Sequence, residues 1–487
     1  MSPVRTCEGW LVLRVAVIGS GPAGVYAAAA LTRDGSAQID VFDRLPAPFG
    51  LVRYGVAPDH LKMKSVSTSL HQVLEQPDVR FLGNVAVGTD VTLGELHDYY
   101  DAIIVAFGAA ADRRLEIPGE ELPGSLSATE FVAWYSGHPD ARVDRFTLEA
   151  RSVAVIGVGN VAVDVARVLA KTPDELRSTD LPDHVLSVLD RSRVADIHVI
   201  GRRGPAQAKF TTKELRELGN LANADVIVDP AELELDDASR EALRNGPALR
   251  RNLEALQEWA EREPAGRPRR LHLRFLLRPV EVLGSERVSG LRLERTRLDG
   301  TGSAVGTGEL HTLDAQMVLR SVGYRGVGLA GMPFDEAAGI VPNASGRVLR
   351  DGLPVPGEYV AGWIKRGPTG VIGTNKHDAA ETVAALLQDA KSLRPAPNRN
   401  ADGVLLLLET RGVQVVGWPG WCAIDGAEVD LGRAQGRDRI KIAERGALLR
   451  VAAGTTATQI PDAAPTEASI GGPGPGRRRT EGTPPLN

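Results

Sequence analysis

Cysteine is almost missing from this chain: only Cys7 and Cys422 occur in 487 residues. Two thiols so far apart exclude a Cys-x-x-Cys redox pair, an iron–sulfur cluster held by the chain's own cysteines, and a zinc site built on cysteine. A reducing, cytoplasmic setting is the expectation. The nine histidines are scattered, with no His-Glu-x-x-His spacing, so no metal is expected. Long apolar runs are also missing; none approaches the ~18 residues that cross a bilayer. The early run GWLVLRVAVIG contains Arg14 and leads into a glycine motif, so it reads as a strand without a cleavage pattern. Nor is there an excess of positive charge. The formal net charge of −5 argues against a nucleic-acid binder. What remains is 43% hydrophobic and 24% charged, ordinary for a large-cored protein of two or three domains.

Glycine is plentiful, and it is placed. In RVAVIGSGPAGVYAAAALTRDG, residues 14–18 read as a buried parallel strand, followed by Gly19, Gly21 and Gly24 in G-x-G-x-x-G spacing. The first glycine allows a tight turn, the second lets backbone approach a pyrophosphate, and the third lets the next helix pack close. The helix start offers unpaired N–H groups and positive dipole to phosphate. A second strand, IDVFD, ends in Asp43, whose carboxylate suits two free ribose hydroxyls. Strand, helix, strand and terminal acid in order point to a dinucleotide site.

The stretch RSVAVIGVGNVAVDVARVLAKTP repeats the pattern with Gly157, Gly159 and Ala162, and an amphipathic helix is expected after it. Here the next strand, DIHVI, runs into Arg202 and Arg203 instead of an acid. Adjacent guanidiniums repel unless an anion lies between them, and a 2′-phosphate fits that need. Each charge-assisted hydrogen bond contributes roughly 1.5–3 kcal/mol, enough to separate NADP from NAD. The acid-ended site suits FAD and the arginine-ended site NADP. A flavin beside a nicotinamide implies hydride transfer. The intervening TPDELRSTDLPDHVLSVLDRSR is expected to make an extra helical excursion. The stretch WIKRGPTGVIGTNKHDAAETVAALL reads as a glycine loop and a helix beginning near Asn375. That helix start suits the negative charge of a reduced flavin, by up to about 2 kcal/mol, and Trp363 offers an aromatic face.

GSGPAGVYAA, PFGLVRYGVAPDH, GNVAVDVARVL, GRRGPAQAKFTTKELREL and GWIKRGPTGVIGTNKHDAAETV together resemble the adrenodoxin-reductase-type ferredoxin–NADP reductases, actinobacterial members above all. The likeness spans residues 14 to about 390, with a looser continuation near 440. It implies an α/β fold of two Rossmann-like, glutathione-reductase-like dinucleotide-binding domains. It implies FAD contacts at Ala23, Asp43, Leu51, Val85 or Val87, Trp363, Gly370, Val371 and Ile372. It implies NADP contacts at Gly159, Asn160, Val161, Ala162, Arg202, Arg203, Glu214 and Gly370. His60 and Glu214 match polar residues that the family keeps near nicotinamide and flavin. Three departures stand out. Asp43 replaces a more usual glutamate, VAFGAAADR stands where Ala-Thr-Gly is more frequent, and Lys209 occupies a position expected to be small and apolar.

The FAD motif opens the chain and the loop after Trp363 closes the same site, so the FAD domain is expected to be discontinuous, 1–112 plus 322–450. The NADP domain, 113–321, is inserted, with hinges near GAAADRR and RSVGYRG. The Pro- and Gly-rich stretch 455–487 is expected to be disordered. Without Cys-x-x-Cys, electrons must leave the flavin directly for an outside acceptor, and the resemblance makes that a small acidic iron–sulfur ferredoxin. Arg244, Arg250, Arg251, Arg262, Arg267, Arg269 and Arg270 form a basic run suited to steering it. A monomer is expected. Two alternatives stay open at this point: an NADPH-dependent flavin diaphorase or quinone reductase, and a non-catalytic flavoprotein that senses NADP(H).

Overall fold

The computed structural model describes residues 12–454. Cys7, the N-terminal extension and the tail from 455 lie outside them. LRVAVI forms the strand Leu13–Ile18, buried from Arg14 onward. Its apolar residues run on without alternation because both sheet faces are covered. Ile18 lies beside Phe42 of the parallel strand Ala37–Phe42 on one side and Val105 of Ala102–Val105 on the other. Val79–Leu82 extends one edge of the sheet, and Leu353–Val360 joins parallel to Ala102–Val105. A short antiparallel hairpin, Asn343–Ala344 with Arg347–Arg350, completes seven strands. This sheet therefore draws on both halves of the chain.

Helix Pro22–Asp34 follows the first strand. Proline at the first helical position gives up an N–H that would be unpaired anyway. Its buried small residues Ala23, Gly24, Ala27 and Ala28 let helix Thr374–Asp389 pack closely against it.

The second sheet has six strands in the order Ser125–Ser127, Met317–Arg320, Ser152–Ile156, Asp196–Ile200, Arg269–Arg274, Ala224–Val228, every pair parallel. Helix Asn160–Ala170 follows Ser152–Ile156. It is amphipathic as its pattern suggested, but its polar face is covered too: every residue from Ala162 to Ala170 is buried, Asp164 and Arg167 included. Helices Ala128–Tyr135 and Thr212–Leu218 pack against it, and Leu176, Leu181 and Val185 from the inserted stretch join the same apolar cluster. A three-stranded antiparallel sheet, Leu277–Gly284, Val288–Leu298 and Ala304–Asp314, sets Leu291 and Leu293 against Ile156 and Ile200.

The chain passes between the two large sheets twice, and the crossings pair with each other. Ala111–Asp112 lies antiparallel to Tyr324–Arg325. These are the two segments expected as hinges. A second tie comes from the insertion, which forms helices Pro173–Arg177 and Asp183–Asp190. Asp180 between them pairs with Lys64 at 2.5 Å and Lys441 at 3.1 Å. Lys441 is fully enclosed, and burial pulls its ammonium down to about 7. Helix Trp418–Ala434 seats Trp421 edge-on against Phe49, with ring centroids 5.7 Å apart. Among the described residues, no helix is long and apolar enough to cross a membrane.

Candidate active site

The two glycine loops are built alike. A Cβ on Gly19 would lie 2.7 Å from the Ala106 carbonyl oxygen, and one on Gly24 would lie 1.9 Å from that of Gly19. On Gly157 it would meet the Ser321 oxygen at 2.2 Å. Packing within the chain accounts for those three. It does not account for Gly21 or Gly159, where an added Cβ meets nothing within 4 Å. In each loop the middle glycine therefore faces open space. That is the fit a bound pyrophosphate requires.

Around the first loop, Asp43 Oδ2 accepts from the backbone N–H of Ser20 at 3.0 Å and from its hydroxyl, while Oδ1 accepts from Leu45 N–H at 2.9 Å. Burial pushes the carboxyl upward against these bonds. Asp43 thus holds the glycine loop from below. A carboxylate has about four acceptor positions, so one remains for a ribose hydroxyl. Leu51 and Val371 are 37% and 64% exposed, unusual for residues of their size beside a core. Val85 is buried in the core and Val87 is half-buried. The Trp363 loop reaches the first helix directly: a Cβ on Gly362 would lie 2.5 Å from that of Ala23. Trp363 donates from Nε1 to the Thr369 carbonyl at 3.1 Å, and its ring lies 5.3 Å from that of Tyr324. Gly370, Val371 and Ile372 lead into helix Thr374–Asp389, whose first turn has no side-chain cap from Gly373. Its first N–H groups, those of Thr374, Asn375 and Lys376, donate to the Val371, Ile372 and Gly373 carbonyls, so the loop itself closes the helix start.

At the second loop Asn160 Oδ1 accepts from Thr211 N–H at 2.8 Å, tying the loop to helix Thr212–Leu218. Val161 is half-buried and Ala162 fully buried. Arg202 is exposed and Arg203 half-exposed, and neither has an acidic partner among the described residues. Nearby Arg274 and Arg278 are paired, with Glu232 and Glu294. Lys209 is exposed and donates its backbone N–H to the Val158 carbonyl of the loop.

Asp59 and His60, which lie between the two loops in sequence, belong to a buried charge cluster whose other members follow the second loop. His60 Nε2 lies 3.0 Å from Glu217, 3.3 Å from Glu214 and 3.6 Å from Asp164. Arg167, on the second glycine-motif helix, grips Asp59 with Nε at 2.8 Å and Nη2 at 2.9 Å, and meets Asp164 at 2.8 Å. Lys171 also reaches Asp59, at 2.7 Å. Burial alone would raise the Asp59 carboxyl, but Arg167 and Lys171 hold it well below the usual carboxylate range. For Asp164 burial prevails, and the carboxyl is raised to about 6 despite Arg167 and His60. The Tyr135 hydroxyl is buried without a partner, and burial raises it well above its ordinary value. Of these residues the sequence pointed to His60 and Glu214 only. Asp59, Asp164, Arg167 and Tyr135 were missed, although two charges inside the apolar run VAVDVARVLA were a visible signal.

The basic run is not one surface. Arg269 is 8% exposed, and its Nη1 donates to the Leu169 and Lys171 carbonyls. Arg267 donates to the Leu221 and Ala224 carbonyls, Arg270 pairs with Asp196, and Arg262 pairs with Glu258. Of the run, only Arg244, Arg250 and Arg251 remain exposed without an acid partner among the described residues.

Residues 13–200 match the family model "Pyridine nucleotide-disulphide oxidoreductase". The chain is 45% identical to the NADPH-ferredoxin reductase FprA of Mycobacterium tuberculosis over 90% of its own length and 99% of that protein's. It is 42% identical to the mitochondrial NADPH:adrenodoxin oxidoreductase of Bos taurus, over 90% of this chain and 92% of that one. The solved structure of Mycobacterium tuberculosis FprA in complex with NADPH superposes with a TM-score of 0.86 at 45% identity, covering 91% of this chain and all of that one.

Proposed function

The chain belongs to the NADPH–ferredoxin reductase family that includes FprA and mitochondrial adrenodoxin oxidoreductase, and on that premise we propose how its residues carry the reaction. It is an FAD-dependent oxidoreductase that takes hydride from NADPH and passes electrons to a ferredoxin-type protein. The observation that carries this reading is the contrast between two equivalent strand ends. Ala37–Phe42 runs into Asp43, and Asp196–Ile200 runs into two unpaired arginines.

We assign FAD to the unit of residues 1–112 plus 322–450, and NADP to 113–321. The first glycine loop, with Asp43 beneath it, holds the adenosine end of FAD, with Leu51, Val371 and Ile372 covering apolar surface. Trp363 would offer its aromatic face to the flavin. Gly157, Gly159 and the start of helix Asn160–Ala170 hold the NADP pyrophosphate. Arg202 and Arg203 select the 2′-phosphate. The bound flavin supplies the conversion of a two-electron hydride donor into single electrons. His60, Glu214, Asp164 and Arg167 form the polar wall that orients the nicotinamide. Asp164, raised to about 6, is the group there best placed to hold or release a proton near neutrality.

The finer partner assignment is a small acidic iron–sulfur protein, drawn to Arg244, Arg250 and Arg251, with the enzyme acting as a cytoplasmic monomer. Steady-state assays test the reading: ferredoxin reduction with NADPH should far outrun reduction with NADH. Equal rates with the two nucleotides would contradict it.

A further inference from the structure

The fold brings together Asp196, His198 and His272, none of which belongs to the site above. Asp196 and His198 are two positions apart on one strand, so both side chains leave the same face. The neighbouring strand sets His272 directly beside His198 and Arg270 beside Asp196. The two imidazoles are stacked, with centroids 4.4 Å apart and planes 12° from parallel, so at least one ring must turn before both can aim an in-plane nitrogen at a single ion. His272 Nε2 lies 3.1 Å from Asp196 Oδ1. One ligand atom from each of the three residues falls within 4.8 Å of the others. His198 is 8% exposed, and its Nδ1 is buried without a hydrogen-bond partner. Buried polar atoms of this kind normally have one.

We propose that Asp196, His198 and His272 bind one divalent transition-metal ion of the zinc class. Two imidazole nitrogens and a carboxylate oxygen are the donors such ions take, with the remaining coordination positions left to water. The carboxylate is already oriented. Arg270 holds Oδ2 at 2.6 Å, which leaves Oδ1 facing His272; an outer partner of this sort fixes a metal ligand in place. The other cation on this face, Arg274, is paired with Glu232 at 2.8 Å. A bound ion replaces the Asp196–His272 contact and joins the two strands side chain to side chain. The same strand ends in Arg202 and Arg203, but the ion takes no part in hydride transfer.

Zinc titrated calorimetrically into the FAD-loaded protein tests this, with Co²⁺ absorption reporting nitrogen ligation. One tight equivalent is expected. His272→Gln and, separately, Asp196→Asn should each weaken it by roughly 100-fold or more, since even an outer-shell partner contributes 10- to 100-fold. His60→Gln should leave that equivalent intact, because His60, Glu214 and Glu217 form the other cluster able to hold a metal. Circular dichroism without metal establishes that each variant is folded. The proposal is overturned if no tight equivalent is seen, if a folded His272→Gln or Asp196→Asn protein binds zinc as the parent does, or if binding vanishes in His60→Gln.

Discussion

Arg167 donates two hydrogen bonds to Asp59, from Nε at 2.8 Å and from Nη2 at 2.9 Å. The pair joins the helix of the second glycine motif to the segment that carries His60, so the two glycine-loop units meet through a buried ion pair. Removing one partner of such a pair leaves the other charge buried, at a cost of about 3–5 kcal/mol. Asp59→Asn should therefore lower both thermal stability and hydride-transfer rate, and Asp59→Glu should restore part of each. Stopped-flow flavin reduction beside calorimetric melting checks this. Unchanged reduction would mean that the pair only holds the fold.

Asp164 carries a pH signature. Its carboxyl moves from 3.8 to about 6 on folding, chiefly through burial. A group raised in the folded chain contributes stability that is complete below its unfolded value and fades as pH rises through its folded one. Relative to Asp164→Asn, the parent protein should thus lose stability as pH climbs from 3.8 to about 6. Urea unfolding of both proteins across that window measures the difference. A flat difference would place the carboxyl at its ordinary value.

The glycines of one loop should separate folding from cofactor retention. Gly24→Ala forces a Cβ against the Gly19 carbonyl and should destabilise the protein itself. Gly21→Ala meets no protein atom, so melting of the flavin-free chain should barely change while FAD is released more readily. Flavin content after dialysis, set beside apoprotein melting, distinguishes the two. If Gly21→Ala keeps its flavin like the parent, the open side of that loop does not face a pyrophosphate.

Arg250→Glu with Arg251→Glu should slow ferredoxin reduction tenfold or more at low salt and leave reduction of a neutral quinone nearly unchanged, because charge reversal acts on encounter and register. Equal slowing of both acceptors would point to a disturbed NADP unit. No slowing of either would place the docking surface elsewhere.

Both glycine loops were legible because a strand and three spaced small residues lie within one short span, and the charge at the next strand's end follows in the expected order even where an insertion intervenes. The insertion was legible from the long interval before the next strand, and the crossings from the order of the motifs along the chain. The cluster at His60 was not, since Asp59 and Arg167 come from different units and only tertiary packing joins them. The basic run misled for a simpler reason. Arg269 and Arg270 fall on a strand whose residues alternate between buried and open, so the first turns inward to bind the carbonyls that end a helix. His198 and His272 looked scattered because their meeting depends on strand register, which the sequence does not spell out.

The most direct test of the account is nucleotide selectivity in flavin reduction, measured anaerobically by stopped flow with the parent protein and with Arg202→Ala, Arg203→Ala. Each charge-assisted bond contributes roughly 1.5–3 kcal/mol, so losing both should weaken NADPH by on the order of 100-fold or more and leave NADH nearly unchanged. The NADPH-reduced parent protein should then reduce ferredoxin one electron at a time. Equal losses for NADPH and NADH, or reduced flavin that fails to discharge into ferredoxin, would contradict it.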